Sequence, residues 1–156
     1  MKKFELTSEF VTFLGKKLFR IKALVAFGDV EEDELGGFVE KEENLCQFGN
    51  AWVSGDAQVS GDAQVSGDAQ VYGNAWVSGN AQVSGNAWVY GNAWVYGNAQ
   101  VSGNAWVSGD AQVSGNAQVS GDAQVYGNVW VSGDAWVQCC RDYSTASCFG
   151  DRKSTR

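Results

Sequence analysis

The chemistry open to this chain is narrowed first by what it lacks. Its 156 residues contain no His. No imidazole can act as general base, relay a proton to a Ser or Cys nucleophile, or ligate zinc. The thiols are Cys46, Cys139, Cys140 and Cys148. They follow no zinc spacing, and the adjacent Cys139 and Cys140 make a poor start for a disulfide framework, so free thiols are expected. The six aspartates of the repeat stand singly, at 56, 62, 68, 110, 122 and 134. The run Glu31-Glu32-Asp33-Glu34 reads as a solvated loop. No catalytic residue, metal site or cofactor is expected from these groups. What remains is aromatic chemistry, from 7 Trp and 5 Tyr. Flat rings can anchor a protein interface, stack on sugars, or pack on one another.

A repeat positions those rings. From Gly49 to Gln138 the chain is fifteen hexapeptides without insertion, of the form Gly-[Asn/Asp]-Ala-[Gln/Trp]-Val-[Ser/Tyr]. The departures are Val129 in the Ala slot and Gln138 in the Ser/Tyr slot. Such a period outranks local propensity. Read from Val, the unit resembles the hexapeptide pattern of left-handed parallel β-helices, in which three hexads close one triangular coil of 18 residues. The resemblance implies an all-β fold, a left-handed parallel β-helix of five coils: 49–66, 67–84, 85–102, 103–120 and 121–138.

Elementary stereochemistry agrees. Gln/Trp, Val and Ser/Tyr form a short strand pointing out, in and out. Val suits a strand interior, and Ala fits where the chain turns inward past a corner. Gly-Asn or Gly-Asp makes the corner, since these residues best tolerate positive φ. The absence of Pro suits strands that must all donate hydrogen bonds. Residues 18 apart should then stack about 4.8 Å apart. No two corner aspartates are 18 apart, so carboxylates need not stack and asparagines can form amide ladders.

Stacking sorts the outward residues into three faces. The Gln100 face carries Gln64, Gln82, Gln100, Gln118 and Trp136, flanked by serines. The Trp88 face carries Trp52, Gln70, Trp88, Trp106 and Gln124, with Tyr72, Tyr90 and Tyr126 beside them. The Trp94 face carries Gln58, Trp76, Trp94, Gln112 and Trp130, with Tyr96 beside them. The aromatics are densest at Trp88, Tyr90, Trp94 and Tyr96, either side of Gly91-Asn92. Trp106 lies a coil above Trp88, Trp76 a coil below Trp94 and Tyr72 a coil below Tyr90. These seven residues are the candidate binding surface.

The ends differ in kind. Residues 1–48 form an N-terminal β-hairpin and capping segment, and residues 139–156 a polar tail. Phe10 to Leu14 and Leu18 to Leu24 read as the hairpin strands, with Val11, Phe13, Phe19 and Ile21 on the inner face. Phe27-Gly28-Asp29-Val30 reads as a degenerate hexad and Leu35 to Val39 as a strand. A solenoid's first coil exposes an edge and an apolar end, so a cap is expected there. The runs from Leu18 to Val30 and from Leu35 to Leu45, followed by Gly-Asn-Ala-Trp-Val, resemble hexapeptide-repeat proteins of phages, prophages and gut bacteria.

A net charge of -7 and a pI near 4.4 argue against a partner held by phosphate neutralisation. The six repeat aspartates are too sparse to imitate a duplex with a charge every ~1.7 Å. No apolar run approaches the ~18 residues of a spanning helix, so no membrane partner is expected. Met1-Lys2-Lys3 leads into Glu5 and Glu9, not an apolar signal segment. A cytoplasmic protein of a bacterial host is expected. Named left-handed hexapeptide proteins include acyltransferases using a catalytic His and anhydrases using three His around zinc. This chain lacks His, and its coils carry no loops. The expectation is a non-enzymatic structural or binding protein, whose partner is itself, as a homo-oligomer, or a host protein. The alternatives are a carbohydrate-binding module taking a glycan, an acyltransferase relative, and a phage inhibitor of a host protein.

Overall fold

The computed structural model describes residues 2–13, 15–137 and 150–151. Cys139, Cys140, Cys148 and most of the polar tail lie outside the described residues. Three elements precede the repeat: β1 (Phe4–Phe13), β2 (Lys16–Ala23) and β3 (Leu35–Val39), followed by a 3-10 turn at Glu42–Asn44. Each hexad then forms one short strand, from β4 (Trp52–Val53) to β18 (Ala135–Val137), and β19 is Gly150–Asp151.

Residues 18 apart pair in parallel: Trp88 lies between Gln70 and Trp106, and Val95 between Val77 and Val113. Three sheets result, one for each predicted face. The fold is an all-β parallel solenoid. Its five regular coils follow an irregular turn, in which Phe38 pairs with Gln58 and Leu45 bridges Val65. Within each ladder a lower N–H donates to a carbonyl above, as Trp88 N does to Ala105 O at 3.0 Å. The Val at every sixth position from 53 to 137 is fully buried, with the Ala slots beside it.

The corners work differently from expectation. Gly91 takes φ +69, and a Cβ there would stand 2.9 Å from Gly109 N. The Gly therefore supplies both the left-handed turn and the close approach of successive coils. The Asn and Asp that follow do not share the positive φ, which among the described non-Gly residues belongs to Asp33. They build ladders instead. Asn80 donates to Asn98, Asn98 to Asn116 and Asn116 to Asp134, at 3.2–3.3 Å. Asn74, Asn92 and Asp110 form a second run, and Asn86, Asn104 and Asp122 a third. Each run ends on a carboxylate, which accepts but cannot pass the bond on.

The hairpin extends the Trp94 sheet through β3. Its inner face departs from the alternation expected. Phe10 opposes Phe19, while Val11 opposes Leu18, so Val11 and Phe13 do not share a side with Phe19. Irregular register between Leu6 and Phe10, and between Arg20 and Lys22, breaks the two-residue period. Phe4, Leu18, Ile21 and Ala23 are the fully buried residues. Phe27 and Val30 are not a hexad: they exchange both backbone hydrogen bonds in a tight turn. Gly36 is the closest approach of this cap, since a Cβ there would lie 2.5 Å from Val53 O.

No regular coil lies below the first one, and its carbonyls take their donors from the cap, both backbone N–H groups and the side chains of Asn44 and Lys3. Ala57 O accepts from the Phe38 backbone at 2.9 Å. Ala63 O and Gly61 O accept from Asn44 Nδ2 at 2.9 and 3.1 Å. Ala51 O and Gly49 O accept from Lys3 Nζ at 2.8 and 3.2 Å. Among the described residues, Lys3 and Asn44 are the buried polar side chains for that reason. The Lys3 ammonium also lies 4.7 Å from the Phe27 ring centre. Burial pulls its pKa down to about 8, against partial support from Cys46 and Asp68. At the other end, β19 runs antiparallel to β18 and pairs Gly150 with Trp136.

Candidate functional site

The seven predicted aromatics stand where the period places them, the four Trp on strands and the three Tyr just past them, but they form two clusters. On the Trp88 face, Tyr72 stacks on Tyr90 at 5.0 Å and Trp88 on Trp106 at 5.2 Å, each pair within 3° of parallel. Edge contacts join the columns, Tyr72 to Trp88 and Tyr90 to Trp106. On the Trp94 face, Trp76 stacks on Trp94 at 4.7 Å, and Trp94 meets Tyr96 edge-on at 6.3 Å. These ring contacts all run within a face, and the Gly91-Asn92 corner separates the clusters.

The stacking follows from strand pairing. Paired strands hold equivalent side chains at the coil spacing, which suits offset parallel rings. The rings therefore turn their π faces toward one another and present edges to the surroundings. Trp88, Trp94 and Trp106 remain 36%, 38% and 37% exposed, and Trp130, on the Trp94 face two coils above Trp94, 67%. Partial burial raises the Tyr72 pKa, with a smaller contribution from Tyr90. Tyr96 donates its hydroxyl to Gln112 Oε1 at 3.4 Å.

Two aromatic positions were not legible from the period. Trp52 belongs to the Trp88 column but is only 3% exposed. The Phe27 turn covers it, with ring centres 5.3 Å apart, and leaves its indole Nε1 without a partner. Phe13, at the hairpin tip, folds over the Trp94 face and meets Trp76 edge-on at 4.2 Å. The sequence carried no signal for this contact: the hairpin strand expected at Phe10 to Leu14 runs instead from Phe4 to Phe13 and ends on the ring.

One charged group, Lys16, borders the Trp94 cluster. Lys41 donates to Asp62 at 2.7 Å, and this contact holds the Asp62 carboxyl below its ordinary range. Among the described residues, no three His, Cys, Asp or Glu side chains gather where they could hold a metal ion. Among the same residues, no helix is long and apolar enough to cross a membrane.

Comparison with known proteins places the repeat and not the ends. The family described as YdcK Beta solenoid repeat matches residues 63–79, 69–84, 81–97, 99–115, 117–133 and 123–138. The matched windows all lie within the hexads, so the repeat is similar to that family's coil. No curated protein matches the chain.

Proposed function

From this likeness to a solenoid repeat and the lopsided distribution of its rings, we propose that the chain is a non-enzymatic binding rod that associates through its aromatic faces. The first partner is a second copy of itself. One observation carries this reading. Exposed indoles crowd two adjacent faces, while Gln and Ser occupy the third from Gln64 to Ser120. All three faces make equivalent backbone ladders, so strand stability alone gives no reason for the difference. An interface does, since aromatic residues anchor interfaces and a two-fold pairing would bury the same patch twice.

Carbohydrate binding is the weaker reading on geometric grounds. A sugar stacks on a free ring face, and each stacked pair here covers one face of each of its rings. An acyltransferase would need a base and an acceptor pocket, and the chain has no His and no loop between its coils. Left-handed winding belongs to the reading through the hexad pattern. The N-terminal run brings the phage or gut-bacterial setting and the cytoplasm of a bacterial host. A host protein is the alternative occupant of the same faces.

Sedimentation velocity tests the reading. The wild-type chain should sediment above its 16.7 kDa monomer mass. Trp88→Ala with Trp94→Ala should return it to monomer, and Gln82→Ala with Gln100→Ala should not. A wild type that stays monomeric at high concentration, or two pairs that behave alike, overturns self-association.

A further inference from the structure

The hairpin tip and the Trp94 face enclose a trough of about 380 Å³, within the size range of small-molecule sites. It is built from the choice between Ser and Tyr at one slot of the hexad. Ser60 and Ser78 are small and form the floor. Tyr96, the next residue in that column, raises the upper end. Trp76 and Trp94 make one wall, and Phe13, Lys16 and Leu18 of the hairpin close the lower end. On the Trp88 face the equivalent space is filled, because Tyr72 stands under Tyr90 in the same slots.

We propose that this trough is a binding site for a small aromatic anion. Two features of its lining set the ligand's chemistry. First, Trp76 and Trp94 are stacked face to face. Their edges are therefore what surrounds meet, and indole edges carry the positive part of the ring quadrupole. A positive edge seeks the negative face of another ring, so an aromatic ligand is preferred over an aliphatic one. Secondly, the charged group in the lining is a cation. Lys16 is half-exposed, and its nearest carboxylate, Glu40, stands 3.7 Å away. Glu40 is also committed to the Gly61 N–H at 2.7 Å. An ammonium at the mouth of an apolar trough, its ion-pair partner 3.7 Å away and shared with a backbone N–H, favours a ligand with one negative group beside its ring system. Ser60 and Ser78 offer hydroxyls beneath it. The site rests on a face that the proposed self-association also uses, since Trp94 is its wall, so the serines and the hairpin tip, not the indoles, are the positions that test it.

The probe is anilinonaphthalene sulfonate, with the uncharged phenylnaphthylamine as its partner, titrated while the probe's emission and the Trp quenching are followed. Wild type should take up one sulfonate per chain saturably. Ser78→Tyr introduces a residue the hexad already uses, placed under Tyr96 as Tyr72 is under Tyr90. It should fold and lose saturable binding of both probes. Ser84→Tyr, the same change on the Gln100 face, should bind as wild type. Lys16→Gln should weaken the sulfonate roughly fivefold, the scale of one exposed charge contact, and leave the neutral probe unchanged. Phe13→Ala opens the lower end and should weaken both probes, which keeps the test decisive if Ser78→Tyr fails to fold. The proposal is overturned by undiminished binding to Phe13→Ala or to a folded Ser78→Tyr, or by equal loss in Ser84→Tyr. It is also overturned if wild type binds neither probe saturably. Sedimentation of Ser78→Tyr separates the two readings, because the variant keeps every exposed indole and should associate as wild type does.

Discussion

Asn44→Leu removes a side chain that stands in for an absent coil. Its Nδ2 serves two first-coil carbonyls, Gly61 O and Ala63 O, and its Oδ1 accepts the Lys41 N–H at 2.8 Å. Leucine has similar bulk and no polar atom, so it leaves the cavity filled and three backbone groups without partners. A buried orphan costs about 1–3 kcal/mol, and of the three only Ala63 O is fully buried, so the low end applies to the other two. Part of the loss is offset because leucine is more readily buried than an amide, worth ~2 kcal/mol. The net expectation is a destabilisation of about 2 kcal/mol. For a chain of this length that lowers Tm by roughly 4–8 °C. A solenoid is nearly one-dimensional, so the damage should begin where the donor was lost. Hydrogen exchange should therefore quicken first at Ala63 to Val65 and at Leu45, before the middle coils. Asn44→Asp keeps the acceptor but faces two carbonyls with a carboxylate, and should be worse than leucine. If Asn44→Leu melts within a degree of wild type, or frays no earlier at the N-terminal end, the side chain is not a substitute for a coil.

Three further outcomes follow from the same geometry. Val95 lies in the middle coil with no exposure, so Val95→Asp buries an unpaired charge and should cost about 3–5 kcal/mol; urea unfolding like wild type would refute the inward assignment. Asn92→Asp exchanges the bond to Asp110 for a carboxylate pair. It should lose about 1 kcal/mol at neutral pH and recover as the pH falls and one carboxyl of the pair protonates, read as a urea midpoint difference that narrows towards pH ~4. For Lys3 the folded pKa of about 8 lies below its ordinary 10.5. The unfolded chain therefore holds more protons between those values, and stability should rise with pH across that window. The midpoint of wild type relative to Lys3→Gln should increase between pH ~7 and pH ~9.5, and a decrease would contradict the buried ammonium.

The regular part of the molecule is legible in the sequence because every hexad obeys one local rule. Inward Val, tight Ala, left-handed Gly and the sorting of rings onto faces all follow from six residues and a period of 18. Even the ladders were foreseeable, since Asp is spaced so that none stacks on another. The ends were not, because there the rule is replaced by long-range substitution. Nothing in the sequence near Lys3 says that its amine will stand beneath Ala51, 48 residues away. The hairpin was visible but its inner face was not, because two register shifts interrupt a period of two. Trp52 looked like its column mates until the Phe27 turn covered it. The trough shared this obscurity: its floor is written in the repeat, but its lower wall belongs to a hairpin tip that arrives from elsewhere.

The interior of this rod does not record which face a hexad belongs to, since all three sides present the same Val and Ala inward. Near-identical tandem units invite gain or loss during replication. Deleting one hexad would leave the core satisfied and the chain foldable, yet every residue beyond the deletion would move round by one side. Loss of the hexad 79–84 would seat Trp94 over Gln70 instead of Trp76, and every stack that spans the deletion would be broken while the Val and Ala interior stayed as it was. Only changes of 18 residues preserve the surface. Selection for the fold alone would let the number of hexads drift freely, whereas selection for what the surface does would confine it to multiples of three. The hexad count across descendants of this gene is thus a direct record of whether its outside matters.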